Sequence, residues 1–166
     1  KKNSIERFVY ASSSSVYGIK KEKDVHEDMP LEPLTDYSKY KVACEIILKN
    51  YKSENFTPII IRPATVCGYS PRQRLDLVVN ILTNFAFHKK KIKIFGGKQL
   101  RPNIHISDMV DSYLVLIQSE ENKIKDQVFN VGFENHSVET LAKMVKKNIE
   151  SEVELEFHKS DDNRSY

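Results

Sequence analysis

The stretch Thr57-Pro-Ile-Ile-Ile-Arg62 (TPIIIR) is short and β-branched, and no polar residue interrupts its three isoleucines. A run of this kind marks a strand buried on both faces, as in the middle of a parallel sheet. The residues on either side agree with that reading. Thr35 and Asp36 are both good helix caps, and a helix is expected from there to about Lys52, with Tyr40, Ala43, Ile47 and Tyr51 on one face. Before it, Ile19–Pro33 is charged and proline-punctuated, a surface loop, and Arg7–Ser13 (RFVYASS) is β-prone, a strand. After it come a helix over Leu75–His88 and a strand at Ile92–Phe95 that ends at Gly96-Gly97. An extended piece, Asn103–Ile106, runs into Ser107, a natural cap for a helix over Asp108–Gln118. A strand at Gln127–Val131, a helix from Ser137 to about Ile149 and a strand at Val153–Phe157 complete the pattern. Strand and helix alternate with helix-length connections, which indicates an α/β fold. The 166 residues suit one ordinary domain or a piece of a larger one, with no internal repeat and no long linker.

Composition narrows the function classes. Hydrophobic residues make up 40% and charged residues 30%, enough for a packed core and too apolar for wholesale disorder. No apolar run approaches the roughly 18 residues that a membrane span needs, and no stretch resembles a signal peptide. Two cysteines, Cys44 and Cys67, are too few for a disulfide framework; they read as buried thiols in a reducing, cytoplasmic setting. The net charge of +3 is mild, and the densest basic cluster, His88–Lys93 (HKKKIK), has no interleaved aromatics. It reads as a solvated helix end rather than a nucleic-acid surface. The five histidines are scattered, without metal-ligand spacing, so no metal site is expected.

Two segments carry candidate chemistry. Residues 10–18 (YASSSSVYG) place four serines at the C-terminal end of the first strand, where ligands bind in open α/β sheets. Residues 37–41 (YSKYK) place Tyr37 and Lys41 four apart on one helix face. An ammonium beside a phenol favours its ionised form, and such a tyrosine can take the proton of an alcohol while a hydride leaves the same carbon. Spacing alone is weak, because with eight tyrosines and many lysines chance produces such pairs, and Tyr17 and Lys21 form another. That second pair straddles Gly18 in an expected turn, so its side chains need not meet. The serine block, the tyrosine helix and the strand ending Arg62-Pro63-Ala64-Thr65 raise the weight of the first pair by their order.

The blocks YASSSSVYG, YSKYK, IIRPATVCGYSPR, IFGGKQLRPNIHISDM and VFNVG, in this order, resemble the extended short-chain dehydrogenase/reductase family, and within it the NAD-dependent sugar-nucleotide epimerases and dehydratases. The resemblance implies the C-terminal part of a Rossmann-like parallel sheet plus a smaller substrate-binding lobe. Residues 1–65 would carry the later Rossmann strands and the catalytic helix, and 66–166 most of the lobe with returning Rossmann elements. It implies NAD or NADP as cofactor and a nucleotide-diphospho-sugar as substrate, in surface-polysaccharide precursor synthesis, with no nucleic acid or membrane partner. A homodimer formed through the Tyr37 helix is also implied.

Carried over by residue, Ser13, Tyr37 and Lys41 match the catalytic hydroxyl, the base and the lysine that also binds the nicotinamide ribose. Ser12, Arg62 and Pro63 match the cofactor-facing strand ends. Ser14, Thr65, Leu77, Val78, Phe95, Arg101 and Arg164 match substrate contacts, with Arg101 and Arg164 on the diphosphate. Thr65 stands where many relatives have asparagine, Phe95 also suits plain core, and Arg164 also suits a solvated tail. Arg72 and Arg74 suit either the substrate or water. Ser12, Ser14 and Ser15 also suit plain turn roles, and His105 and Asp108 suit a strand end and a helix-start charge. The dehydratases carry an Asp-Glu pair after the catalytic hydroxyl; Ser14 and Ser15 stand here instead, which points to an epimerase or dehydrogenase, with a sugar-nucleotide dehydratase or decarboxylase of the same fold as the alternative. A non-catalytic nucleotide- or partner-binding relative is the alternative of another class. The five glycines contain no Gly-x-x-Gly-x-x-Gly, so the dinucleotide fingerprint is expected upstream of this chain, and the fragment alone is expected to be inactive.

Overall fold

The structure, a computed structural model, describes residues 4–22 and 24–159. In chain order its elements are β1 (Arg7–Ala11), a 3₁₀ turn (Ser14–Tyr17), α1 (Asp36–Asn50), β2 (Thr57–Pro63), β3 (Thr65–Cys67), α2 (Val78–Lys89) and β4 (Lys91–Phe95). Then follow β5 (Leu100–His105), α3 (Ile106–Gln118), α4 (Glu121–Ile124), β6 (Val128–Val131), β7 (Glu134–Ser137), α5 (Val138–Asn148) and β8 (Glu154–His158). The chain divides into two compact units: residues 1–64 with 107–131, and 65–106 with 132–166.

The first unit is built on a parallel sheet of order β1-β2-β6. β2 is central, as the TPIIIR run requires: Thr57 through Arg62 are all buried, and Ile59 and Ile61 are fully so. Each isoleucine contributes about 1.5–3 kcal/mol of hydrophobic stabilisation. α1 starts where the sequence places it. Thr35 and Ser38 form a reciprocal capping box, with Thr35 Oγ1 accepting from the Ser38 N–H (3.2 Å) and Ser38 Oγ accepting from the Thr35 N–H (3.0 Å). The stripe of Tyr40, Ala43, Ile47 and Tyr51 lies on one face of this helix but points outward, and the fully buried residues are the polar Ser38 and Glu45. The reason is electrostatic: Glu45 turns inward to meet Arg62. Arg7 closes the far end of α3, its guanidinium donating to the carbonyls of Leu116 and Ile117.

The second unit has a sheet of order β3-β5-β7, parallel then antiparallel, and a parallel pair, β4 and β8. Its core is Leu82 and Ala86 of α2, Ile92 and Ile94 of β4, Leu141 and Ala142 of α5, and Val153. Helix α5 is capped by Ser137, with Glu139 in its first turn and Lys146 and Lys147 in its last, charges that complement the helix dipole. The HKKKIK cluster ends α2 and starts β4, with Lys91 between Glu154 (3.3 Å) and Glu156 (3.2 Å).

Four expectations shift. The strands β3 and β7 and the short helix α4 have no counterpart in the sequence reading, because each is only three or four residues long. α3 begins at Ile106, so Ser107 lies inside the helix instead of capping it. α2 begins at Val78, because Arg74 and Asp76 pair side by side (2.6 Å) in the turn before it. Both cysteines are half-buried rather than buried, Cys44 on the flank of the outward-facing side of α1 and Cys67 against the Ile104 carbonyl.

Candidate active site

The end of β1 and the first turns of α1 share one cluster. The Lys41 ammonium donates to the carbonyl of Ala11 at 2.7 Å. It sits 5.0 Å from the centre of the Tyr10 ring and 5.5 Å from that of Tyr37, within cation–π range of both. The strand end therefore holds the lysine, and the lysine reaches back one helical turn to Tyr37. Tyr37 itself is exposed, so its hydroxyl is open to a ligand. Tyr10 is a different tyrosine in kind. Burial, a hydrogen bond with Cys44 and the acidic groups gathered around it, Glu45 among them, hold its phenol well above the ordinary range, so it stays protonated.

Two residues beyond Ala11 is Ser13. It caps the 3₁₀ turn, its Oγ accepting from the Ser15 N–H at 3.2 Å and sharing a proton with Ser15 Oγ at 2.8 Å. Ser14 is half-buried on that turn. Ser12 is 3% exposed, yet its Oγ has no hydrogen-bond partner among the described residues. A buried hydroxyl left open is a place where a ligand atom fits. The turn ends at Gly18, whose φ is +71° and where an added Cβ would lie 2.1 Å from the Glu32 carbonyl oxygen. Only glycine fits there, which explains the Val-Tyr-Gly that closes the serine block. Lys21, of the other Tyr-Lys pair, is exposed outside any helix, while Tyr17 is buried.

Arg62 is 3% exposed, and its side chain is committed to protein partners. Nε donates to Glu45 Oε1 (3.1 Å) and one terminal nitrogen to Glu45 Oε2 (2.8 Å). The other terminal nitrogen donates to the Tyr17 hydroxyl (2.7 Å) and the Glu27 carbonyl (3.0 Å). The Tyr17 hydroxyl donates in turn to Asn130 Oδ1 (2.7 Å). Asn130 is also tied to the loop before α1, through the carboxylate of Glu27 (2.6 Å) and the carbonyl of Val25 (3.1 Å). Burial raises the Tyr17 phenol above its ordinary pKa although Arg62 and Asn130 pull it down. Its backbone stands in the ladder level with Asn130 of β6, so Arg62 lies at the strand end without a side-chain bond left over for a cofactor.

The second unit carries the other candidates. Thr65 opens β3 opposite Asn103, and Leu77 precedes α2 as its cap residue. Val78 packs against the apolar core. Phe95 is 53% exposed and so is not core; its ring stacks on His158, centroids 5.1 Å apart and planes 22° apart. Arg101 is half-buried on β5, one terminal nitrogen on the Leu100 carbonyl (2.9 Å). Arg164 lies outside the described residues. The structure brings Ser13, Tyr37 and Lys41 into the first unit, with Ser12, Ser14, Arg62 and Pro63, and puts Thr65, Leu77, Val78, Phe95 and Arg101 in the second.

Glu45, Asn130 and Asn80 went unread in the sequence, and Tyr17 was read only as half of a pair with Lys21. For Glu45 and Arg62 there was a signal: a lone carboxylate in an apolar helix stretch (VACEIIL) and a lone guanidinium at the end of an apolar strand. Buried charges are paired, so each implied the other. Nothing local marked Asn80, which clasps the loop before α2 by accepting from the Gly68 N–H (3.3 Å) and donating to the Arg74 carbonyl (2.9 Å).

The chain resembles known proteins over most of its length. It is 36% identical over 148 residues to an uncharacterized UDP-glucose epimerase of Bacillus subtilis, covering 88% of this chain and 46% of that protein. It is 28% identical over 158 residues to the human dTDP-D-glucose 4,6-dehydratase, covering 92% and 44%. Among solved structures, the UDP-glucuronic acid 4-epimerase of Bacillus cereus, in complex with UDP-glucuronic acid and NAD, superposes with a TM-score of 0.80 at 31% identity, covering 93% of this chain and 49% of that one. The chain thus spans about half the length of the relatives it matches. The family model for the NAD dependent epimerase/dehydratase family matches residues 1–132, and the chain belongs to that family.

Proposed function

We propose that the protein containing this chain oxidises a hydroxyl of a nucleotide-diphospho-sugar with NAD or NADP, as an epimerase or a dehydrogenase. The observation that carries the reading is the Lys41 ammonium, held 2.7 Å from the Ala11 carbonyl and within 5.5 Å of the Tyr37 ring. Tyr37 accepts the proton of the sugar hydroxyl, and the fixed ammonium offsets the charge that develops on the phenolic oxygen. Ser13, its lone pair already aimed at the Ser15 N–H, holds the same hydroxyl. A bound nicotinamide would supply the hydride acceptor. Residues present here fit it: the unpartnered Ser12 hydroxyl and the remaining N–H donors of Lys41, beside the strand end at Arg62 and Pro63. Thr65, Leu77, Val78, Phe95, Arg101, Arg164 and Ser14 are the substrate side of the reading, with the Arg101 guanidinium suited to a diphosphate.

Ser14 and Ser15 carry no carboxylate, which disfavours elimination of water and supports epimerisation or dehydrogenation. A cytoplasmic site in polysaccharide precursor synthesis fits a protein in which no helix among the described residues is long and apolar enough to cross a membrane. The outward stripe of α1, with Tyr40 74% and Ile47 53% exposed, supports a homodimer through that helix. The test is Tyr37→Phe in the full-length protein, offered a panel of sugar nucleotides and followed by reduction of bound NAD and by NMR of the sugar stereocentres. Turnover is expected to fall by two or more orders of magnitude, about the contribution of a general base, while sugar-nucleotide binding survives. Near-normal turnover overturns the assignment, and a silent panel for the parent protein favours a binding module instead.

A further inference from the structure

The buried network around the Arg62 side chain reaches both halves of the candidate machinery, and every bond of that side chain is to the protein. We propose that Arg62 is a positioning residue that sets the placement of the Ser13 turn against the Tyr37–Lys41 helix. The proposal rests on the preceding reading for the roles of Ser13, Tyr37 and Lys41.

Its first arm runs to α1. Glu45 follows Lys41 by four residues and Tyr37 by eight, so all three lie on one stripe of the helix. The two-pronged bond from Arg62 to Glu45 (3.1 and 2.8 Å) fixes that stripe's rotation about the helix axis. On a helix whose Cα atoms lie about 2.3 Å from the axis, a rotation of about 25° shifts a residue by about 1 Å. A misplacement of that size can lower a rate by about 100-fold. The second arm runs to the serine turn. The Tyr17 hydroxyl, 2.7 Å from Arg62, sits on the last residue of the turn that Ser13 caps. A third bond, to the Glu27 carbonyl (3.0 Å), holds the loop that delivers the chain to α1.

Arg62 itself stands on the central strand, level with Asn130 of β6, which gives all three arms one rigid origin. Stability alone does not call for this arrangement. Buried ion pairs are often replaceable by apolar residues with no loss of stability. What apolar residues cannot reproduce is a planar fork that specifies direction toward three elements at once.

Three substitutions in the full-length protein test the proposal: Tyr17→Phe, Glu45→Gln and Arg62→Lys. Backbone amide NMR reads the coupling without any need for turnover. Glu45→Gln, made on α1, is expected to displace the signals of Ser13 and Ser15, and Tyr17→Phe those of Tyr37 and Lys41. In the Arg62→Lys background neither cross-effect should remain, the signature of coupling through a shared residue. Shifts confined to each substituted element overturn the proposal. Tyr17→Phe keeps the ring in place, so it decides the matter even if Glu45→Gln does not fold. In steady-state kinetics, kcat is expected to fall about 10- to 100-fold in each variant with KM within about twofold, the pattern of lost alignment rather than lost binding. An unchanged kcat beside displaced amides reduces the network to structure and overturns the positioning role. If the unsubstituted protein turns over no sugar nucleotide, the catalytic reading fails, and the amide cross-effects still decide whether Arg62 couples the two elements.

Discussion

The two units solve the problem of a core in opposite ways. In the second, seven apolar residues from α2, β4, α5 and the segment before β8 pack together, and the buried polar residues are the uncharged Asn80 and Asn103. In the first, Val16, the three isoleucines of β2, Met109, Leu116 and Ile124 share the interior with Ser12, Ser38, Glu45, Thr57 and Arg62, all buried. A buried polar group is unfavourable unless it is fully bonded. The first unit accepts that penalty repeatedly: Ser12 and Arg62, with Arg62's partner Glu45, lie at the C-terminal ends of β1 and β2, Ser38 at the start of α1, and Thr57 at the start of β2 on Glu121. The contrast teaches where to look: the unit that buries charged side chains holds the candidate chemistry.

The comparison can be broken by chemical unfolding. Arg62→Met strands the Glu45 carboxylate in the first unit and is expected to destabilise it by about 3–5 kcal/mol. Adding Glu45→Leu should recover most of that loss, because an apolar pair replaces the ion pair. A double variant as unstable as the single one would show that the first unit depends on the charges themselves. Ile94→Ala, a cavity in the second unit, is expected to reduce stability by about 2–5 kcal/mol. Its mark in amide hydrogen exchange should stay within residues 65–106 and 132–159; protection lost equally in β2 would mean that the units do not unfold separately.

The smallest effect is a dependence on pH. Lys91 holds the Glu156 carboxyl below the usual glutamate range, with burial opposing and His158 and Lys93 assisting. A depressed folded pKa contributes stability above the unfolded value of about 4.3, and the contribution is lost as pH falls through the folded value. Acidification should therefore loosen the β4–β8 pair, and Glu156→Gln should flatten that limb of a thermal melt. An unaltered acid limb would place the titration elsewhere.

Much of this was legible. TPIIIR announced a central strand, and Thr35 announced the start of α1 through its own hydroxyl. Tyr37 and Lys41 were legible as a pair because helical spacing is a local rule. The missing parts share a cause. β3 and β7 are too short to show periodicity, and their pairing partners are distant in sequence. The stripe of α1 left direction open, since apolar spacing identifies a face but not which face turns inward. Here Glu45 decides that, through Arg62, seventeen residues away. Asn80 and Asn130 act on backbone groups of other segments, and no sequence pattern marks such bonds.

One feature of β1 bears on how the chain can change length. Ala11 lies level with Ile61, and the ladder continues with the Ser12 N–H on the Ile61 carbonyl at 2.7 Å. The strand is in effect a ruler whose last mark is Ser13. One added residue between Arg7 and Ser13 would turn every side chain beyond it to the opposite face. Lys41 would then lose its carbonyl, and the serine turn would be out of step with β2. An added residue beside the exposed Lys21 and Glu22 only lengthens a loop. Insertions and deletions in relatives of this chain should therefore collect after Gly18 and avoid the stretch before it.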